Sequence, residues 1–246
     1  MSSEKKRNHY EFLSSLKNKQ GLLVADSTKV TKKILSQNIF EPLELYLEEE
    51  IKIDKEITEK FPKVHFVSSL VFKQVKGQRF HNGVISIFKD ITIPEIKSLD
   101  NIMGNFAILN GVTSPENVGA IIRTLSGLNF NSIIVDNKTC HPHNRRVVRV
   151  SMGNFVNINL FKTNNLLNLI KASSRPVYAT ANESGALNFL NWTPEKNSGI
   201  VIGSEGHGIE KEIKSQCKNM IFIPTNERVG HLNAGHACAI IASKYL

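Results

Sequence analysis

Three short runs in the later half of the chain carry residue types that can hold and activate a ligand. The first is Asn117-x-Gly119-x-x-x-Arg123. On a helix, positions 119 and 123 lie four apart and share a face, while Asn117 sits near the first turn. An arginine there can grip a phosphate through its planar fork. An ordinary solvent-exposed helical arginine fits the same pattern. The second run is Gly203-Ser-Glu-Gly-His-Gly208, which follows the apolar stretch Ile200-Val-Ile202. A glycine-rich turn between a buried strand and a helix lets backbone N–H groups approach a ligand closely. No Gly-Lys-Ser/Thr follows, so it is not a Walker loop, and it is not Gly-x-Gly-x-x-Gly either. Glu205, set among the glycines, can accept hydrogen bonds from backbone or ligand; a tight turn without a ligand is the alternative. The third run pairs Ile223-Pro224 with His231-Leu-Asn-Ala-Gly-His236. Pro224 has no N–H and ends strand pairing. Asn233 suits the cap of a final helix.

Other constellations give less. Cys140, His141 and His143 lie close together, but their spacing fits no standard zinc pattern and a fourth ligand is not evident. No metal is expected. No Ser-His-Asp order or pair of acidic residues stands out. His207, His231 and His236 fall near the three runs and could titrate there; exposed or helix-packing histidines are the plain reading.

These runs need a scaffold, and the surrounding pattern supplies one. From Phe106-Ala-Ile-Leu109 onward, short apolar runs alternate with helical periods: Ser132-Ile-Ile-Val135, Phe155–Phe161 and Pro176–Ala181 read as strands. Pro115 and Glu116 suit a helix start. Alternation of this kind predicts a mostly parallel sheet covered on both faces. In such sheets ligands bind beyond the carboxyl ends of the strands, which is where the second and third runs fall. Upstream, Leu22-Leu-Val24, Leu43–Leu47, Val64–Val67 and Gly83–Phe88 read as strands of a small α/β domain, with Glu48–Lys60 as an exposed helix with flanking loop. Residues 90–102, with Pro94 and mixed charge, read as a linker. The organisation expected is a basic leading helix over 1–20, a small domain over 21–98 and a larger one over 99–246.

The 246 residues carry a net charge of +9 and are 41% hydrophobic. That is enough for real cores, and the basic excess attracts phosphate backbones. No run reaches the ~18 apolar residues of a membrane span, and the polar start shows no secretory signal. Three widely spaced cysteines, Cys140, Cys217 and Cys238, suit reduced thiols in a cytoplasmic protein.

In this order and spacing the three runs resemble the SpoU/TrmH family of RNA ribose 2′-O-methyltransferases, within the SPOUT class. The family's Asn-x-Gly-x-x-x-Arg-Thr helix is matched by Asn117–Thr124, its Gly-x-Glu-Gly-x-Gly by Gly203–Gly208, and its Ile-Pro and Leu-Asn elements by Ile223-Pro224 and Leu232-Asn233. Arg149-Val-Ser-Met-Gly153 also looks like a family segment. The likeness covers about 104–246; residues 21–89 look, more loosely, like an L30e-type RNA-binding domain. The resemblance implies a C-terminal trefoil knot, a homodimer and S-adenosylmethionine as cofactor. It implies cofactor contacts at Thr180, Gly203, Glu205, Gly206, Ile223, Pro224, Leu232 and Ala234. It further implies catalytic roles for Arg123, Asn117, Glu205 and Asn233. An RNA partner follows, ribosomal rather than transfer RNA on the strength of the upstream domain. One position departs: the serine before Leu-Asn is His231 here. Histidine is larger and titrates near neutrality, so it joins the catalytic candidates and leaves a non-catalytic RNA-binding factor as the alternative.

Overall fold

The computed structural model describes residues 11–13, 21–76, 83–226, 228 and 232–246. Of the expected leading helix only Glu11–Leu13, which are helical, fall among them; His231 lies outside the described residues. The chain forms two compact units, Met1–Thr92 with His143–Val156, and Ile93–Pro142 with Asn157–Leu246.

The first unit is built on β1 (Leu22–Ala25), α1 (Thr28–Leu35), β2 (Pro42–Glu48), α2 (Lys55–Thr58), β3 (Lys63–Val67), α3 (Ser69–Lys76) and β4 (Val84–Lys89). The sheet order is β1-β4-β2-β3, with β4 antiparallel to both neighbours and β2 parallel to β3. Ser27 starts α1 by accepting from the backbone N–H of Val30 at 3.3 Å. The helix expected, with flanking loop, within 48–60 is four residues long, Lys55–Thr58. The first half of that span instead carries half-buried Ile51 and Ile53, an alternating pair that a helix would turn to different faces. Arg145–Val150, which carries three arginines, forms α5 and is tied to this unit. There Arg145 Nη2 donates to the buried Asp26 Oδ1 at 2.7 Å and Nε lies 3.1 Å from both carboxylate oxygens.

The second unit contains β5 (Asn105–Asn110), α4 (Pro115–Leu125), β6 (Phe130–Asp136), β7 (Asn159–Thr163), α6 (Leu166–Lys171), β8 (Val177–Thr180) and β9 (Leu187–Asn188). It closes with β10 (Gly199–Gly203), α7 (Lys211–Gln216), β11 (Asn219–Phe222) and α8 (Ala234–Ala242). The sheet order is β7-β6-β5-β10-β8-β11-β9, and every neighbouring pair is parallel. This is the parallel α/β sheet that the alternating pattern predicts. Phe106, Ile108, Ile134, Ala179 and Val201 face one way and pack with Leu166, Leu169 and Ile170 of α6 and Ile213 of α7. The alternate residues, among them Ile202, face α8 and its neighbour α4.

Two expectations are corrected. Residues 93–102 are no idle linker: Ile96, Leu99 and Ile102 are buried in the core of this unit, and Ile96 N–H donates to the Lys162 carbonyl at 3.0 Å. Three apolar residues spaced by three are a buried stripe, which the flanking charges and Pro94 disguised. The strand expected from Phe155 begins only at Asn159, because Met152 and Gly153 turn left-handed (φ 53° and 73°) and a 3-10 turn over Asn154–Asn157 follows. No described helix is long and apolar enough to cross a membrane.

Candidate functional site

Strands β5, β6 and β7 run out to one edge of the sheet, β8 begins the other side, and β10 enters between β5 and β8. The reversal leaves a crevice at the carboxyl ends of the central strands, where such folds bind ligands. Two helix starts converge there. Ser114 caps α4, its Oγ accepting from Asn117 N–H at 3.3 Å, with Pro115 in the first turn. Asn233 caps α8, its Oδ1 accepting from the N–H groups of Gly235 (2.9 Å) and His236 (3.3 Å). The helices can close together because a side chain at Gly235 would already stand 3.1 Å from Ala120 Cβ.

With its oxygen committed to the helix, Asn233 turns its amide nitrogen outward. Nδ2 donates to Asn117 Oδ1 at 2.8 Å and to Glu205 Oε1 at 2.6 Å. Glu205 Oε1 also receives the Ala234 N–H at 3.4 Å. Asn233 therefore uses its full bonding capacity, and its two donors fix one asparagine and one carboxylate. The buried Asn117 keeps its own Nδ2 without a partner among the described residues, as a donor still to be used. Three of the five candidate catalytic residues thus meet. Arg123 does not join them: it is exposed on α4, and its guanidinium makes no hydrogen bond or ion pair among the described residues.

The loop carrying Glu205 is a closed turn. Ser204 N–H donates to the Gly208 carbonyl (3.1 Å), Gly208 N–H to the Ser204 carbonyl (2.9 Å), and His207 N–H to Ser204 Oγ (3.2 Å). Gly203 is required by contact: a Cβ there would lie 2.3 Å from the carbonyl carbon of Gly208 and 2.6 Å from the nitrogen of Ile209. At Gly206 an added Cβ would meet nothing within 4 Å. The turn is therefore tight at its base and open at its crown.

Beneath the crown lies a cavity of about 310 Å³, at the lower end of the range for small-molecule sites. Its apolar lining includes Ile202, Ile221, Ile223, Leu232 and Ile241; Thr180, Ser204 and Glu205 are among its polar residues. Thr180 is held by its hydroxyl, which donates to the Val201 carbonyl at 2.9 Å. Of the candidate cofactor residues, Thr180, Gly203, Glu205, Gly206, Ile223, Leu232 and Ala234 line the cavity; Pro224 does not. Sequence reasoning missed Glu183, Lys214, Ala237 and Ile241. Ala237 and Ile241 follow Ala234 at helical spacing, a signal that was present; nothing local marks Glu183 or Lys214.

The exit of the turn is braced from β5 and β6. Asn110 Oδ1 accepts from Glu210 N–H at 3.0 Å, and its Nδ2 donates to Asp136 Oδ2 at 2.9 Å. Hydrogen bonds from Lys138 and Asn110 hold the Glu210 carboxyl below its ordinary value, and Glu210 in turn raises Lys138.

A parallel α/β sheet whose ligand crevice is walled by a glycine turn, by Ile223 and by an asparagine-capped helix matches the fold of the SpoU/SPOUT methyltransferases. The model of the SpoU rRNA Methylase family matches residues 105–243, and the chain belongs to that family. Over 177 residues it is 27% identical to the Acinetobacter baylyi protein named 23S rRNA (guanosine-2′-O-)-methyltransferase RlmB, covering 68% of this chain and 71% of that one. A Staphylococcus haemolyticus relative, assigned to the TrmH family of tRNA/rRNA methyltransferases, is 27% identical over 141 residues. Those residues are 56% of this chain and 57% of the relative, so the chain spans less than two thirds of that protein's length. Among solved structures, the AdoMet-bound rRNA methyltransferase of Sinorhizobium meliloti superposes with a TM-score of 0.81 at 19% identity, covering 96% of this chain and 93% of that one.

Proposed function

We propose that the chain methylates a ribose 2′-hydroxyl of RNA, with ribosomal RNA favoured over transfer RNA, using S-adenosylmethionine held in the cavity beneath Gly203–Gly208. The observation that carries the reading is the Asn117–Asn233–Glu205 set at the rim of that cavity, on a chain of the SpoU family. The fit rests on the lining. An apolar wall of Ile202, Ile221, Ile223, Leu232 and Ile241 suits a nucleoside base, and the open crown at Gly206 lets backbone come close to it. Bound there, the cofactor supplies an electrophilic methyl group on a sulfonium.

The chain's own residues then have separable tasks. Asn233 orients Glu205 and Asn117, and this preorganisation spares reorganisation when the reacting groups meet. Asn117 Nδ2 and the second oxygen of Glu205 offer a donor and an acceptor to a ribose. Arg123 orients an RNA phosphate and stabilises the developing alkoxide; a guanidinium stays protonated and is a poor base. It lies roughly 120° round α4 from Asn117, at ~100° per residue. A homodimer belongs to this reading, because that exposed arginine is then free to act at RNA carried by a second copy. So do a C-terminal knot and an RNA-binding role for the first unit.

The test is direct. Purified protein and total RNA depleted of the modification receive radiolabelled S-adenosylmethionine, and label is sought in alkali-resistant dinucleotides. Label is expected with wild type, and a drop of at least about ten-fold with Arg123→Lys, which keeps the charge but loses the fork. Cofactor binding without any labelled RNA would favour the non-catalytic alternative.

A further inference from the structure

Two charged side chains line the cavity and take no part in the Asn117–Asn233–Glu205 set. Glu183 follows β8 and Lys214 stands on α7, and Lys214 Nζ donates to Glu183 Oε1. The lysine side chain is only 15% exposed, against 48% for the glutamate. An ammonium drawn so far from water recovers only part of its lost hydration from one half-exposed carboxylate. It also keeps two further N–H donors. Elsewhere the lining is largely apolar or uncharged, apart from Glu205 and His207.

A fixed cation beside a fixed anion, in the wall of a largely apolar cleft, is complementary to a zwitterion. The ammonium end meets the carboxylate of Glu183 and the carboxylate end meets Lys214. We infer that Glu183 and Lys214 form the subsite for the amino-acid end of the ligand, and so select nucleosides that carry an α-amino acid over those that do not. The inference rests on the methyl-donor reading above and deepens it. It also gives the ion pair a reason to line the cavity: a mere tether between α7 and the segment after β8 could be placed on the outer surface.

Calorimetric binding of two nucleosides to the full-length chain tests it. S-adenosylhomocysteine carries the amino-acid end; 5′-methylthioadenosine shares the nucleoside and sulfur but lacks it. Wild type is expected to prefer the first by about ten-fold or more, the worth of one charge-assisted hydrogen bond. Lys214→Gln and Glu183→Gln are each expected to erase that preference while leaving 5′-methylthioadenosine binding unchanged. Equal binding of both nucleosides by wild type, or parallel weakening of both in the single variants, would overturn the subsite. If wild type binds neither nucleoside, the methyl-donor reading falls and this inference with it.

Discussion

Asn233 does two jobs with opposite ends of one amide, and substitution separates them. Replacing it by alanine removes the cap of α8, worth about 1 kcal/mol. It also leaves the buried Asn117 Oδ1 and the rim carboxylate of Glu205 without their donor. Because the rim admits water, that loss sits near the lower end of the cost of an orphaned polar group, about 1 kcal/mol more. The sum of about 2 kcal/mol lowers the melting temperature of a unit this size by roughly 4–8 °C. Asn233→Asp keeps the cap, since aspartate accepts as well as asparagine. It places a second carboxylate where Nδ2 stood 2.6 Å from Glu205 Oε1. One of the two must then hold a proton, so a carboxyl pKa in the folded protein rises above its unfolded value. The sign follows: the variant is near wild-type stability below the ordinary carboxylate range, and loses stability as pH rises through the elevated value. Thermal melts from pH 4 to 8 with S-adenosylhomocysteine titrations make the assay. The reasoning is refuted if Asn233→Asp matches wild type in both stability and nucleoside affinity at pH 8, because the donors of Asn233 would then be irrelevant.

Three further outcomes are expected. Gly203→Ala drives a methyl group into the Gly208 backbone at 2.3 Å and costs about 1–3 kcal/mol, whereas Gly206→Ala leaves the melting temperature unchanged and weakens nucleoside binding. Arg175→Ala strips the carbonyls of Leu99, Ile102, Gly104 and Asn197 of a shared donor and removes a guanidinium stacked 4.7 Å over Phe106; urea unfolding is expected to show a loss of about 2–3 kcal/mol. Burial pushes the Cys217 thiol up to about 12; burial and then Glu116 also raise Cys140, but by less, so alkylation at pH 8 is expected to be faster at Cys140 than at Cys217 in the native protein. The Cys217 shift contributes stability that is intact below the ordinary value of 9.0 and declines as pH climbs toward about 12.

What the sequence displayed and what it hid divide along physical lines. The strands of the second unit were legible because they are buried on both faces and read as unbroken apolar runs, such as Phe106–Leu109 and Ile200–Ile202. The meeting of Asn117, Glu205 and Asn233 was legible only as three motifs in order; the hydrogen bonds that join them depend on the Gly235–Ala120 approach, which no local pattern encodes. The stripe Ile96-Leu99-Ile102 was masked by Lys97, Asp100 and Pro94. Lys214 looked like any surface lysine on a charged helix, and only its packing withdraws it from water. That Arg145–Val150 belongs with the first unit depends on a partner more than a hundred residues upstream, the Asp26 carboxylate.

The placement of β10 also sets a timetable. Its neighbour β5 ends at Asn110, but β10 begins only at Gly199, so the central strand of the sheet is made long after the strands it must join. Much of the cavity wall is made later still, from Ile221 to Ile241. Contacts so distant in sequence close slowly. A ligand cannot guide the early strands, because nothing exists to bind it. It can only seal a pocket whose last wall has arrived, which makes nucleoside binding a reporter of completed folding.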